Sequence, residues 1–309
     1  MKSRVPRVIA FPVQSAAAPA VSETNVAGAT ASHDVRATEP PNLPTSRRAI
    51  GRILRYVLAD VMRNRWILGY ALFFLVATDL LVRLGGTGPR ALASLLNLVL
   101  ALVPLVTVVF GTIYWHGARE FTELLLTQPV ERSTLFHGLF AGLVVPLVLA
   151  FALGVSVPLM AHRVLGADTL GTLGLLLLVG ALLTAIFGAM AVLIGGLVDD
   201  RLKGLGIALG AWLTCTVAFD GVLLWLAVSF RDYPIEGPLL ALSFLNPVDL
   251  ARILMLLRLD LAAMMGVTGA VFTRMLGSAT GMAIALGAMV LWTVVPGWLA
   301  LRTFRRRDF

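Results

Sequence analysis

The sequence predicts an all-α integral membrane protein with six transmembrane helices, and three observations support this class. Of the 309 residues, 58% are hydrophobic and 14% are charged, whereas soluble domains carry about 25% charged residues. Six runs nearly free of charge are each long enough to cross the ~30 Å hydrocarbon core of a bilayer as a helix. Arginines cluster beside these runs, so membrane orientation explains the net charge of +8 better than nucleic-acid binding does.

The first 46 residues differ in composition from the rest of the chain. They are rich in Ala, Pro, Ser and Thr and show no sustained hydrophobic periodicity. Such a segment cannot bury enough apolar surface to order itself, and it lacks the long apolar stretch of a secretory signal. We therefore expect residues 1–46 to form a disordered cytoplasmic tail.

Residues 47–65 predict an amphipathic helix that lies in the headgroup layer ahead of the first span. Apolar residues recur with the spacing of one helical face. They are Ile50, Ile53, Leu54, Val57, Leu58, Val61 and Met62. Arginines on the opposite face are placed to reach anionic lipid phosphates. The alternative is an ordinary soluble helix, but direct attachment to a membrane span favours the interfacial position.

Six spans are predicted to follow, and the arginines beside them predict their orientation. The spans lie near 66–84, 91–113, 137–161, 171–197, 205–229 and 281–301. Basic residues are concentrated before the first span, after the last span and between the fourth and fifth. Positive charge is retained on the cytoplasmic side of membranes. We therefore expect a multi-pass protein of the bacterial inner membrane with both termini in the cytoplasm.

The stretch WHGAREFTELLLTQPVERSTLF, between the second and third spans, is unusually charged for this chain. Phe121, Leu124 and Leu125 share one helical face, and the residue before Pro129 disfavours helix, so a short amphipathic helix is predicted over about 117–128. A helix of this kind can fill a groove on a soluble partner. From its position alone, a helix resting on lipid headgroups is an equally good interpretation.

Residues 230–280 form the long loop expected on the outer side of the membrane. Residues 247–265 are apolar but interrupted by charges, which argues against a seventh span and predicts helices packed on the outer membrane surface. Asn246 followed by Pro247 has the sequence of a helix start, with a capping residue before the first turn.

Motifs for nucleotide hydrolysis and covalent catalysis are absent from the sequence. Neither lysine, Lys2 nor Lys203, follows a glycine-rich loop, so we expect no ATP site and no cofactor in this chain. The single Cys215 excludes a cysteine metal cage. The histidines are scattered and predict no metal site; they are His33, His116, His137 and His162. Met264, Met265 and Met275 have the thioethers that bind Cu(I), but packing is the favoured role because no Cys or His adjoins them.

Two carboxylates fall within predicted spans, where ionisable residues are rare and usually functional. Asp79 has Arg83 four residues later on the same helical face, which predicts a structural ion pair. Asp220, in the fifth span, has no partner in its own helix. It either meets another helix or lines a cavity, and we favour the structural role. So few buried charges give little support to an ion-coupled carrier or an intramembrane enzyme.

The order of these elements resembles the ABC-2 type permeases, the membrane subunits of ATP-binding cassette transporters. The stretch REFTELLLTQPVERSTLF is similar to the family pattern of an acidic residue, a leucine run, Gln-Pro and an arginine. The resemblance implies a coupling helix that sits in a cleft of a separate ATPase. The implied contact residues are Glu120, Phe121, Glu123, Leu124, Leu125, Gln128 and Arg132. A second cytoplasmic contact is implied at the charged turn of Asp199, Asp200 and Arg201.

A narrower resemblance is to the permeases of NosDFY systems, which support maturation of the copper enzyme nitrous oxide reductase. It rests on FDGVLLWLAVS from Phe219, LNPVDLARI from Leu245 and MGV from Met265. It implies a second copy of this chain, a NosF-like ATPase that holds ATP and Mg, and a NosD-like periplasmic β-helix protein. The implied contact with the periplasmic protein is at Asn246, Pro247, Asp249 and Arg252. A generic ABC-2 exporter of lipid, drug or polymer is the alternative.

Overall fold

The computed structural model describes residues 65–85, 89–119, 122, 131–162, 167–230, 233, 236–259 and 279–306. Within these ranges the secondary structure is helical and no strand occurs, so the predicted all-α class is confirmed. The predicted tail, the interfacial helix up to residue 64 and most of the predicted coupling helix lie outside the described residues.

The described part of the chain contains nine α-helices. They are α1 (Arg65–Gly85), α2 (Pro89–Gly117), α3 (Arg132–Ala161), α4 (Ala167–Leu197), α5 (Arg201–Leu213), α6 (Phe219–Ser229), α7 (Glu236–Ser243), α8 (Pro247–Arg258) and α9 (Ala279–Arg306). A π-helical segment, Thr214–Ala218, joins α5 to α6, so the three segments form one continuous helical span.

Six of these helical segments are long and apolar enough to span a bilayer, as predicted. They are Arg65–Leu84, Leu92–Gly117, Arg132–Ala161, Leu170–Leu197, Arg201–Ser229 and Thr280–Arg306. Each overlaps one predicted span, with boundaries that differ by a few residues. Helices α7 and α8 are also apolar, but a bend of 115° between them prevents one straight crossing.

Helix α4 forms the centre of the bundle because it is apolar on every side. It contacts α2, α3, α5, α8 and α9, and α1 packs along α3 at the periphery. Fully buried side chains mark the centre of the core; they include Phe74, Phe151, Leu176, Leu183 and Phe187. Glycines allow the closest approaches between helices: a methyl group on Gly111 would lie 2.8 Å from the Ala191 side chain.

The segment after the fifth span forms a bent helical hairpin of α7 and α8, and the tip of this hairpin packs inside the bundle. The Asn246 side chain donates to the Cys215 carbonyl at 2.6 Å, and Trp292 Nε1 donates to the Phe244 carbonyl at 3.1 Å. Cys215 and Trp292 each lie near the middle of their spans, so the tip of the hairpin reaches about the middle of the bundle. The sequence predicted helices packed on the outer surface, and the structure brings the tip of the hairpin against the fifth and sixth spans. Two of the charges that suggested a surface, Asp249 and Arg252, are paired with each other inside the bundle.

Candidate functional site

The loop between α2 and α3 carries the predicted ATPase contact, and the structure describes both ends of it. Arg119 and Thr122 are described at its start, and Glu131 and Arg132 at its end. The remaining predicted contact residues lie outside the described part of the chain; they are Glu120, Phe121, Glu123, Leu124, Leu125 and Gln128.

Arg119 fastens the start of this loop to the C-terminal end of α4. Its Nη2 donates to the carbonyls of Gly195 at 3.0 Å and Val198 at 2.9 Å. Its Nη1 donates to the carbonyl and to Oδ1 of Asp199, both at 3.2 Å. The last carbonyls of a helix have no hydrogen-bond donor within the helix and carry partial negative charge. The Arg119 guanidinium supplies both hydrogen-bond donors and positive charge.

His116 strengthens the same junction one turn earlier in α2. Its Nε2 lies 3.1 Å from the Val198 carbonyl, and its Nδ1 lies 2.8 Å from the Thr112 carbonyl. The imidazole packs closely against Gly204 of α5, where a methyl group would lie 3.0 Å from Cε1. The end of α2 is thus joined to both helices that meet at the turn between α4 and α5.

That turn holds the second predicted cytoplasmic contact, and its three side chains are exposed. Asp200 caps α5 by accepting a hydrogen bond from the Lys203 N–H at 2.8 Å. This hydrogen bond lowers the pKa of the Asp200 carboxyl below its usual value. The Asp199 side chain is 79% exposed even though it pairs with Arg119, and Arg201 is exposed. The turn is therefore fixed in shape and open to a partner.

Arg132 fastens the other end of the loop to the last helix. Its Nη1 donates to the Arg305 carbonyl at 3.0 Å, close to the C-terminus of α9. Beneath this contact the Trp115, Phe136 and Phe304 rings join α2, α3 and α9, with centroids 5.7 to 6.0 Å apart. Both ends of the loop are therefore bound through an arginine to the carboxyl end of a different helix.

A second polar cluster lies inside the bundle, where the hairpin meets the fifth span. Arg252 Nη1 donates to Asp220 Oδ1 at 2.8 Å and to Asp249 Oδ1 at 3.1 Å. Asp249 is 4% exposed, and its Oδ2 is buried without a hydrogen-bond partner. Asp220 therefore meets another helix, which is one of the two arrangements that its sequence left open.

Asn246 positions this cluster by joining the tip of the hairpin to the fifth span. Its Oδ1 accepts from the Val248 N–H at 3.0 Å, which caps α8, while its Nδ2 donates to Cys215 in the π-helical segment. Segments of this type often occur at functional sites. Asn246, Pro247 and Asp249, which the sequence analysis assigned to the periplasmic contact, are buried within the bundle in this structure.

At the other end of the first span, Asp79 forms the predicted pair and a further contact. Asp79 Oδ2 lies 2.7 Å from Arg83 Nε, which confirms the predicted ion pair. Asp79 Oδ1 lies 2.7 Å from His162 Nε2, at the end of α3. Neither this contact nor the Arg119 contacts were predicted from the sequence. The only sequence signal for both is a polar residue at the end of a span.

No group of three or more His, Cys, Asp or Glu side chains is arranged to hold a metal ion within the residues that the structure describes. Both clusters consist of ion pairs and hydrogen bonds between helices. Each cluster joins helices that are far apart in the chain.

Comparisons with known proteins cover most of the chain. A family model described as ABC-2 family transporter protein matches residues 121–309. The chain is 30% identical over 281 residues to the probable ABC transporter permease protein NosY of Stutzerimonas stutzeri, covering 84% of this chain and 98% of that protein. It is 31% identical over 271 residues to a protein of the same name from Pseudomonas aeruginosa, covering 82% and 97%.

Proposed function

Because this chain belongs to the ABC-2 family of transporter proteins, and is a permease subunit similar to NosY, we propose that a separate cytoplasmic ATPase drives it through residues 117–128. The chain itself carries no nucleotide-binding motif, so ATP and Mg belong to the partner. Apolar residues Phe121, Leu124 and Leu125 on one helical face suit a groove on that partner.

The observation that carries this proposal is the fastening of the loop at both ends. A force applied to residues 120–131 acts on α4 through Arg119 and on α9 through Arg132. Packed helices pass on displacement as discrete rearrangements, since cores are not continuously deformable. The exposed turn of Asp199, Asp200 and Arg201 adjoins the Arg119 contact and supplies the second surface for the ATPase.

The arginine distribution supports an orientation with both termini in the cytoplasm. Arg302, Arg305 and Arg306 lie in the last turns of α9, and Arg65 begins α1. The junction at Arg119 and Arg132 is at the same end of the bundle, since α9 ends there. Because positive charge is retained in the cytoplasm, this distribution supports a position of this end inside the cell, where an ATPase has access to it.

We further propose that the assembly contains two copies of this chain, a NosF-like ATPase and a NosD-like periplasmic β-helix protein, and that it serves copper-site maturation of nitrous oxide reductase. Similarity to the two NosY proteins over most of their length supports this role. The Asp220–Arg252–Asp249 cluster would then join the fifth span to the outer part of the chain and pass on movement.

A generic ABC-2 exporter of lipid, drug or polymer is the second candidate, favoured by the family match alone. Purification of the full-length chain from its own membrane, followed by identification of the bound proteins, separates the two. Recovery of an ABC ATPase together with a periplasmic β-helix protein supports the maturation role, whereas an ATPase alone supports the exporter.

Replacing Leu124 and Leu125 together with Asp should reduce co-purification of the ATPase by at least about tenfold, because two charges would enter an apolar groove. Tyr233→Asp provides a control, since Tyr233 is 69% exposed just beyond α6, away from both proposed ATPase contacts. The amount of ATPase per permease, measured by quantitative mass spectrometry, checks the expectation. Undiminished binding in the double variant would contradict docking at this helix.

A further inference from the structure

Both ring nitrogens of His116 face carbonyl oxygens, at the place where α2 meets the turn between α4 and α5. Nδ1 lies 2.8 Å from the carbonyl oxygen of Thr112, and Nε2 lies 3.1 Å from that of Val198. A carbonyl oxygen only accepts hydrogen bonds, whereas a neutral imidazole has one N–H donor and one bare lone pair. In either neutral tautomer, one ring nitrogen would therefore point its lone pair at an oxygen. The charged imidazolium donates to both oxygens.

The ends of two helices make this position favourable for a positive charge. His116 lies in the last turn of α2, and Val198 directly follows the last residue of α4. The carboxyl end of a helix carries partial negative charge, which attracts a cation. The ring is half-buried beside Gly204, where a methyl group would lie 3.0 Å from Cε1. Both N–H groups of the imidazolium keep a hydrogen-bond partner there, which offsets the loss of water around the ring.

The charged side chains on the elements packed against the imidazole also favour the cation. Arg119 donates to the same Val198 carbonyl, but the ion pair with Asp199 at 3.2 Å offsets its positive charge. The side chains of Arg201 and Lys203 are exposed, so water and salt screen them. Asp200 keeps a negative charge close to the ring. The pKa of its carboxyl is lowered by the hydrogen bond from the Lys203 N–H and, as a smaller cause, by the imidazole.

We propose that His116 is a proton-binding site that fastens the C-terminal end of α2 to the turn between α4 and α5. With the proton bound, the imidazolium donates to Thr112 and to Val198. Loss of the proton leaves a lone pair facing one of these oxygens, so one hydrogen bond is lost and the junction loosens. Imidazoles change charge between about pH 5 and about pH 8, so this stabilisation is present in acid and is lost as the pH rises. The inference does not depend on the proposed ATPase contact.

His137 provides a matched control within the same chain. Its Nδ1 lies 2.6 Å from the carbonyl oxygen of Ser133, four residues earlier, which repeats the contact of His116 with Thr112. The side chain of His137 is exposed, and its Nε2 faces no acceptor in the part of the chain that the structure describes. A neutral ring with its proton on Nδ1 therefore satisfies His137, whereas it does not satisfy His116.

The direct test is NMR of isotope-labelled histidine ring nitrogens in the full-length chain in detergent micelles. The variants His33→Gln, His137→Gln and His162→Gln assign the His116 signals by exclusion. At about pH 7.5 an unperturbed imidazole is mostly neutral. The ratio of charged to neutral ring should be at least about tenfold higher at His116 than at His137, because the second hydrogen bond exists only in the charged form. Equal ratios at the two histidines would overturn the proposal.

The pH dependence of unfolding tests the effect on the junction. Between about pH 6 and about pH 8, the unfolding constant of the unaltered chain should rise about fivefold more than that of His116→Gln, whose amide does not titrate. His137→Gln is the control and should follow the unaltered chain. Equal pH dependence in His116→Gln and in the unaltered chain would show that the proton does not fasten the junction. The NMR measurement keeps the His116 ring in place, so it decides the proposal even if His116→Gln does not fold.

Discussion

Replacing Arg252 with Met is expected to lower the free energy of unfolding by about 3–5 kcal/mol, because it leaves Asp249 and Asp220 without their shared cation. Asp249 is almost completely buried and already has one oxygen without a partner. An uncompensated charge at that position has neither water nor a counter-ion to stabilise it. Unfolding of the purified chain in detergent, followed by circular dichroism, measures the loss.

The same experiment includes a control and a rescue. Arg258→Met changes an exposed arginine in the last turn of the same helix, so its effect should stay below about 1 kcal/mol. Combining Arg252→Met with Asp249→Asn should recover much of the lost stability, because the buried carboxylate is replaced by a neutral amide. A single Arg252→Met variant as stable as the unaltered chain would show that the cluster does not hold the hairpin in place.

Replacing Arg119 with Ala should reduce about tenfold the extent to which the permease stimulates ATP hydrolysis in the separate ATPase. A loss of this size is within the usual range of coupling between two communicating sites. The variant removes the hydrogen bonds that join the loop to the end of α4. ATPase binding through Leu124 and Leu125 should remain. The variant therefore separates binding of the ATPase from transmission of movement. Arg119→Lys should recover only part of the coupling, since an ammonium cannot reproduce the planar fork of the guanidinium.

Lys203→Ala is the matched control for Arg119, because Lys203 is exposed at the same end of the bundle and donates to Asp200 through its backbone N–H, not its side chain. Hydrolysis rates of the purified complexes, compared at equal ATPase content, provide the readout. Identical hydrolysis rates for Arg119→Ala and Lys203→Ala would show that Arg119 takes no part in transmission.

Features of the fold that depend on local sequence were predictable. The six spans followed from the length of the apolar runs, since each helix satisfies its own backbone hydrogen bonds in lipid. The Asp79–Arg83 pair followed from a separation of four residues in one helix. The start of α8 at Asn246 and Pro247 followed from cap chemistry, and the structure has that cap.

Contacts between distant residues were not predictable from one sequence. Arg252 is 32 residues from Asp220, and Arg119 is 79 residues from Val198. No periodicity connects such pairs, because they depend on how helices pack. The packing of the α7–α8 hairpin inside the bundle was missed for the same reason. Its charges indicated contact with solvent, whereas the fifth span supplies the carboxylate of Asp220 that pairs with Arg252.

The most direct test of the central claim is cross-linking from the loop to the ATPase. In a Cys215→Ser background, a photoactivatable cross-linker is attached to Glu123→Cys. The control is Tyr233→Cys, at an exposed residue just beyond the C-terminal end of α6. The account predicts that position 123 cross-links to the ATPase in intact membranes and that position 233 does not. Cross-linking from position 233, with none from position 123, would contradict both the proposed orientation and the proposed site of drive.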